Sequence, residues 1–284
     1  MEEVVVLGSG TPNPDVGRGG AALALVAEDS WVLVDCGRAA TQRAVDAGLD
    51  LTAVVAVALT HHHSDHVSDL ATFATTRWTA GATTPLPVVA PAGPAARYAE
   101  RCLDAFDDQA FHAQSSGAGG PRPTVAVRAF DATDRVAPVL HAGSWALAST
   151  LVDHHPVEPA VGYRVEHEGA RVAVSGDTAV CDGVRALALD VDVLVHEAAL
   201  TSRVSAALLA WNAGARAVGE LAAEVGPGTL VLTHLLPAPT SPEDERAYVA
   251  EVRAGGFDGP TLVARDGLRI PIGGRPDPRG GGGR

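Results

Sequence analysis

Residues 60–66 read Thr60-His61-His62-His63-Ser64-Asp65-His66 and follow directly on an apolar run from Val54 to Leu59. A short, continuous apolar run of this kind reads as a buried strand. The chain must therefore fold so that a core strand ends at a polar cleft crowded with imidazoles and a carboxylate. Imidazole and carboxylate together suit a first-row divalent ion, Zn²⁺ above all. His61, His63, Asp65 and His66 stand too close in sequence to reach one tetrahedral ion without straining the loop. The pattern implies two neighbouring ions, with His61 and His63 facing one and Asp65 and His66 the other. His62 points between them, toward solvent or the backs of the ligands.

Composition narrows what such a centre serves. The 284 residues carry 34 acidic against 21 basic side chains, a net charge of −13, which is the reverse of what a protein gripping phosphate backbones normally shows. No nucleic-acid partner is expected; the expected partner is a small-molecule substrate, and a homodimer is compatible with the chain. Cys36, Cys102 and Cys181 are isolated, odd in number and without CxxC spacing, so neither a disulfide framework nor a thiolate zinc site is indicated. The acidic start Met1-Glu2-Glu3-Val4 has no signal-peptide pattern, and no apolar run approaches the roughly 20 residues that cross a bilayer. A cytoplasmic protein without a membrane partner is expected.

Along the chain, strands are predicted over Val4 to Leu7, Ala21 to Ala27, Trp31 to Val34, Val54 to Leu59 and Val88 to Ala90, and helices over Ala39 to Ala47, Ser68 to Ala80 and Pro94 to Phe106. Gln114 to Pro123 is a Gly/Ser/Pro-rich loop. Further strands are expected over Thr124 to Phe130, Trp145 to Val152, Val161 to Glu166, Arg171 to Val174, Val191 to Val195, Thr229 to Thr233, Thr261 to Ala264 and Leu268 to Ile270. Helices are expected over Val180 to Leu189, Ser205 to Val225 and Ser241 to Ala254. Two runs of strands interleaved with amphipathic helices imply an α/β (α+β) fold of two sheets packed face to face and covered by helices. No composition break divides the chain, so one domain over 1–274 is expected, with 275–284 a disordered Gly-rich tail.

A two-ion centre needs further ligands, and polar residues stand at the ends of three other predicted strands. These are Asp153-His154-His155-Pro156, Ser175-Gly176-Asp177-Thr178 and Thr233-His234. With Leu7-Gly8-Ser9-Gly10-Thr11-Pro12, Val34-Asp35-Cys36-Gly37, Gly162-Tyr163-Arg164 and His196-Glu197-Ala198, they make the chain resemble the metallo-β-lactamase fold superfamily, in its ribonuclease Z-like branch. The resemblance spans residues 1–271 and implies a four-layer αββα sandwich of two mixed sheets flanked by helices. It further implies two Zn²⁺ per chain, with Mn²⁺ or Fe²⁺ as substitutes. His61, His63 and His154 would hold the first ion, Asp65, His66 and His234 the second, and Asp177 would bridge them. His155 competes with His154, which fits the family pattern better. Thr60, Asp35 and Thr178 are expected to hydrogen-bond the outer imidazole nitrogens and fix their tautomers.

The resemblance implies a metal-dependent hydrolase in which a hydroxide held by the ions attacks the substrate and Asp65 accepts the nucleophile's proton. His196 is the candidate acid for the leaving group. One family feature is missing. Where ribonuclease Z enzymes open a helix with His, this chain has Asn212, and an amide cannot protonate a leaving group. The stretch from His154 to Asp177 is also too short for the RNA-gripping arm of that branch. The expectation is thus a dinuclear-zinc phosphodiesterase acting on a small molecule, with a carboxylic ester, lactone or aryl sulfate as the alternative substrate. Ranked below these are tRNA 3′ processing, an iron-dependent oxidative variant and a non-catalytic metal-binding protein.

Overall fold

Strand β1 (Glu3–Gly8) sets the pattern for the whole molecule: Val4 and Val6 face one way, Val5 and Leu7 the other, and all four are buried. A strand buried on both faces belongs to a sheet covered on both sides. The computed structural model, which describes residues 1–106, 108 and 122–272, has two such sheets.

The first sheet contains β1, β2 (Ala22–Val26), β3 (Trp31–Val34), β4 (Val54–Ala58), β5 (Leu86–Pro91), β6 (Val125–Phe130) and β14 (Arg269–Pro271), in the order β14-β1-β2-β3-β4-β5-β6. The second contains β7 (Ala137–Ala142), β8 (Trp145–Leu151), β9 (Val161–His167), β10 (Ala170–Val174), β11 (Val193–Ala199), β12 (Thr229–Leu236) and β13 (Thr261–Val263), in the order β13-β12-β11-β10-β9-β8-β7. Both are mixed. Strands β3 to β6 run parallel, as do β10 to β13, while β1, β2, β14 and β7 to β9 pair antiparallel.

Between the sheets lies a Val-rich core drawn from both, including Val4, Val6, Val32, Val34, Val165, Val172, Val193 and Val195. Full burial of each such side chain contributes about 1.5–3 kcal/mol. Helices α1 (Ala40–Asp46), α3 (Leu70–Thr79) and α4 (Pro94–Arg101) cover the outer face of the first sheet, and α5 (Asp182–Ala188), α7 (Ala215–Val225) and α8 (Pro242–Ala254) that of the second. This is the expected four-layer αββα sandwich.

Several boundaries differ from expectation in ways that matter at the site. A one-turn helix, α2 (Ser64–Val67), begins inside the His-rich loop, so Asp65 and His66 sit on a helical turn. Strand β11 continues through His196 and Glu197, and β12 through His234. The helix expected over Ser205 to Val225 is broken into α6 (Ala206–Leu209) and α7. The break is enforced from outside, because Ala199 N–H donates to Ala213 O and Ala199 bridges Gly214, pinning the linker to the end of β11. Strand β7 was not expected: Pro138 masks its pattern and is tolerated because β7 is an edge strand. The loop over 114–123, apart from Arg122 and Pro123, and the tail 275–284 lie outside the described residues.

Candidate metal centre

The clustered side chains converge because their strands all end at one edge of the sandwich. The chain leaves β4 at Ala58 and delivers Thr60 to His66, leaves β8 to deliver His154, leaves β10 to deliver Asp177, and carries His234 near the end of β12. Tyr163 on β9 spans the two sheets to donate its hydroxyl to Leu59 O at 2.8 Å, fixing where the His-rich loop begins. Backbone conformation adds to the definition. Asp35 and His234 both take positive φ, 60° and 48°, a strained region in which non-glycine residues cluster at functional sites.

Two groups result. His61, His63, His154 and Asp177 bring ligand atoms within 4.8 Å of one another, and so do Asp65, His66 and His234. Asp177 stands between them. Its Oδ2 lies 3.8 Å from His61 Nε2, 3.9 Å from His154 Nε2 and 3.4 Å from His234 Nε2, while its Oδ1 lies 3.2 Å from His66 Nε2. Asp65 Oδ2 is 3.2 Å from His234 Nε2 and 3.6 Å from His66 Nε2, and His154 Nε2 is 3.4 Å from His63 Nδ1. A tetrahedral ion with bonds of about 2.0–2.1 Å spaces its ligands about 3.4 Å apart, so these separations fit. His61 Nε2, His66 Nε2 and Asp65 Oδ1 are buried and have no hydrogen-bond partner among the described residues. Leaving three such atoms unsatisfied is costly, and a cation between the groups would satisfy them.

Electrostatics agree. Burial, reinforced by the neighbouring imidazoles, holds the His61 pKa well below its ordinary value, and burial lowers that of His154. For His66 burial pulls the same way, but the carboxylates of Asp177 and Asp35 outweigh it and push the pKa well above the ordinary value. Burial would raise Asp177, yet the surrounding imidazoles, His234 and His66 first, hold it well below the carboxylate range. The centre is a carboxylate-bearing pocket that attracts positive charge.

The other expected residues fall as follows. His154 joins the first group, while His155 is exposed and outside it. His62 is partly buried and in neither group. Asp35 Oδ2 meets His66 Nδ1 at 2.8 Å and Thr60 Oγ1 meets His61 Nδ1 at 3.0 Å, so both reach the outer imidazole nitrogens. Thr178 does not: its hydroxyl donates to Ala179 O at 2.6 Å and accepts from Asp153 N–H at 3.0 Å, and its own N–H donates to Glu197 Oε1. It braces the backbone beside Asp177 and His154 instead. His196 shares its face of β11 with Leu194 and Ala198, which pack against the helices, and no hydrogen bond, ion pair or ring contact among the described residues links it to either group. Burial pushes its pKa down to about 4. Its neighbour Glu197 faces the site side, and burial, with Asp177 nearby, raises its pKa well above the ordinary value. The His-Glu pair marked the right place in the sequence, but the strand's alternation turns Glu197, not His196, toward it. Asn212 lies in the break before α7, with its amide donating to Leu208 O at 3.1 Å.

Comparison with known proteins places this geometry. The family model described as "Beta-lactamase superfamily domain" matches residues 30–235. The ribonuclease Z of Mycolicibacterium paratuberculosis is 35% identical over 267 residues, covering 90% of this chain and 94% of that protein. Among solved structures, the metallo-beta-lactamase fold protein YhfI from Bacillus subtilis superposes with a TM-score of 0.72 at 21% identity, covering 95% of this chain and 99% of that one. The short form of human tRNase Z superposes with a TM-score of 0.69 at 19% identity, covering 95% and 99%.

Proposed function

The chain belongs to the β-lactamase superfamily, in its ribonuclease Z-like branch of metal-dependent hydrolases, and on that premise we propose that it hydrolyses phosphodiester bonds at the paired groups around Asp177. The observation that carries this reading is Asp177 itself, whose two oxygens lie against imidazoles of both groups. His61, His63, His154 and Asp177 would hold one ion, and Asp65, His66, His234 and Asp177 the other; imidazole and carboxylate donors favour zinc. Two such ions would supply Lewis acidity and an activated water.

The chain's own residues do the rest. Asp65 turns Oδ2 to His66 and His234, and its carboxylate is the group beside the second ion's place that would take the nucleophile's proton. Asp35 and Thr60 hold the rings of His66 and His61 in register. Neither the Asn212 amide nor buried His196 supports a strong acid for the leaving group. Substrates whose leaving group needs little protonation are therefore favoured. The reach from His154 to Asp177 holds only a loop, β9 and β10, with β9 turning into β10 at Glu168-Gly169, so no RNA-gripping arm extends there. That, with the net charge of −13, favours a small phosphodiester.

Cleavage of RNA is the second reading, favoured by the 35% identity to a protein named ribonuclease Z over 90% of this chain. The zinc-loaded chain is to be assayed against bis(p-nitrophenyl) phosphate, p-nitrophenyl acetate and a 3′-extended precursor tRNA. Turnover of the phosphodiester alone is the expected result. Turnover of the acetate alone would move the assignment to esters, and efficient cleavage of the precursor would establish the second reading.

A further inference from the structure

Strand β4 hands on the His-rich loop at its C-terminal end, and β5 and β6 run parallel to it, so their beginnings lie at the opposite edge of the sheet. There, between the end of α3 and the starts of β5 and β6, is a cavity of about 270 Å³. Arg77, Trp78, Thr83, Thr84, Arg122 and Thr124 line it, and no carboxylate among the described residues does. In a chain with 34 acidic and 21 basic side chains this is a local reversal of charge. Arg77 is 6% exposed. Its Nη1 donates to Thr84 O at 2.6 Å and its Nη2 to Thr84 Oγ1 at 3.0 Å, while its Nε is buried with no hydrogen-bond partner among the described residues.

A guanidinium stays charged when buried and calls for a counter-charge. Arg77 lies in the last turn of α3, whose carbonyl end supplies only about half a negative charge. No carboxylate completes the balance, and burial alone acts on the Arg77 pKa, pulling it below its ordinary value. The Thr84 hydroxyl accepts from Nη2 and so keeps its own hydrogen free to donate. We propose that this cavity is a binding site for a small oxyanion of the phosphate class, held by Arg77 and Thr84. A tetrahedral oxyanion can turn two oxygens to the guanidinium and a third to the hydroxyl, whereas a carboxylate has only two to share among them. The volume is below the roughly 300–1,000 Å³ of pockets that take drug-sized ligands, which suits a compact ion. The inference is independent of what the metal centre holds.

The test is isothermal titration of inorganic phosphate into the zinc-treated chain at constant ionic strength, with thermal unfolding in phosphate against chloride as a second readout. Four proteins are compared: wild type, Arg77→Gln, Thr84→Val and Asp177→Ala, the last separating this cavity from phosphate held at the metal centre. Wild type and Asp177→Ala should both bind phosphate saturably and melt higher in phosphate than in chloride. Arg77→Gln should weaken that binding by at least about tenfold, the size of one charge-assisted hydrogen bond. Thr84→Val keeps the guanidinium and should weaken it by about three- to tenfold. Sulfate should compete with phosphate, and acetate should do so at least about tenfold less well. If Arg77→Gln does not fold, Thr84→Val decides. No saturable binding in Asp177→Ala, or wild-type affinity in both cavity variants, would overturn the site. Acetate competing as well as sulfate would overturn the class of ligand.

Discussion

Asp177 is the side chain that lies against both candidate ligand groups. Its oxygens lie 3.2–3.8 Å from His66, His234 and His61, and it is 4% exposed. Asp177→Ala should therefore release at least one of two bound ions and lower phosphodiester turnover by more than about 100-fold, a loss of about 2.7 kcal/mol of transition-state stabilisation. Elemental analysis alongside the assay checks both, and retention of two ions with full turnover would end the dinuclear reading. A second expectation concerns protons. The carboxylates of Asp177 and Asp35 overcome burial to raise the His66 pKa, so a cation at that ring competes with a proton held more tightly than on a free imidazole. Metal affinity should rise with pH through neutrality, and titration calorimetry in buffers of different ionisation enthalpy should show proton release. The linkage has a definite sign. A raised folded-state pKa stabilises the metal-free fold fully below the unfolded value near 6.5, and that contribution is lost as pH rises through the higher folded value. The metal-free chain should therefore lose stability on the alkaline side, where the metal-loaded chain does not. Sequence showed the candidate ligands more readily than their supports. His61, His63, Asp65 and His66 stand together and announce themselves, whereas Glu197 is an ordinary acidic residue until β11 is seen to run on and turn it toward Thr178.

At the level of elements, the site is a property of strand ends, and small residues let those ends meet. Gly176 takes φ 65°, and a Cβ there would lie 2.9 Å from Val161 O and 3.1 Å from Thr60 Cβ. It is the hinge by which β10 hands Asp177 to loop 60–66. Gly176→Ala meets both the strained φ and the contact, and should cost about 1–3 kcal/mol in thermal unfolding while reducing metal content. An unchanged melting temperature with full metal would show that the turn has room to relax. Element types were legible wherever apolar periodicity was unbroken, as in β1 to β4 and α8, whose Ser241 cap and following proline are both in place. What escaped was set by tertiary contacts. The sequence from Ser205 to Val225 reads as one helix, and only the pairing of its middle with the end of β11 breaks it. His196 looked like a loop residue because the apolar run stops at Val195, yet β11 continues and faces it toward Leu194 and the helices. Which member of the His196-Glu197 pair faces the site depends on how far the strand runs, the least legible feature of any sequence.

For the molecule as a whole, the competing substrates differ in size and charge, and the chain's net charge of −13 bears on both. A protein that holds RNA through cationic contacts releases counterions on binding, so its affinity falls steeply with added salt. A chain of net charge −13 repels a polyanion at long range, and salt then screens repulsion rather than attraction. For a small monoanionic phosphodiester the long-range term is slight either way. The expected result is that kcat/KM for bis(p-nitrophenyl) phosphate changes less than about twofold between roughly 50 and 200 mM salt, and that any residual cleavage of RNA improves or stays level over the same range. Many of the arginines are already engaged: Arg43 with Asp266, Arg164 with Glu166, Arg185 with Glu224, Arg203 with Asp244 and Arg269 with Glu3. These are unavailable to a phosphate backbone without breaking ion pairs. A fall in RNA cleavage of about a thousandfold or more across that salt range would mean several phosphate contacts that this charge distribution does not anticipate, and would shift the assignment from a small phosphodiester to RNA.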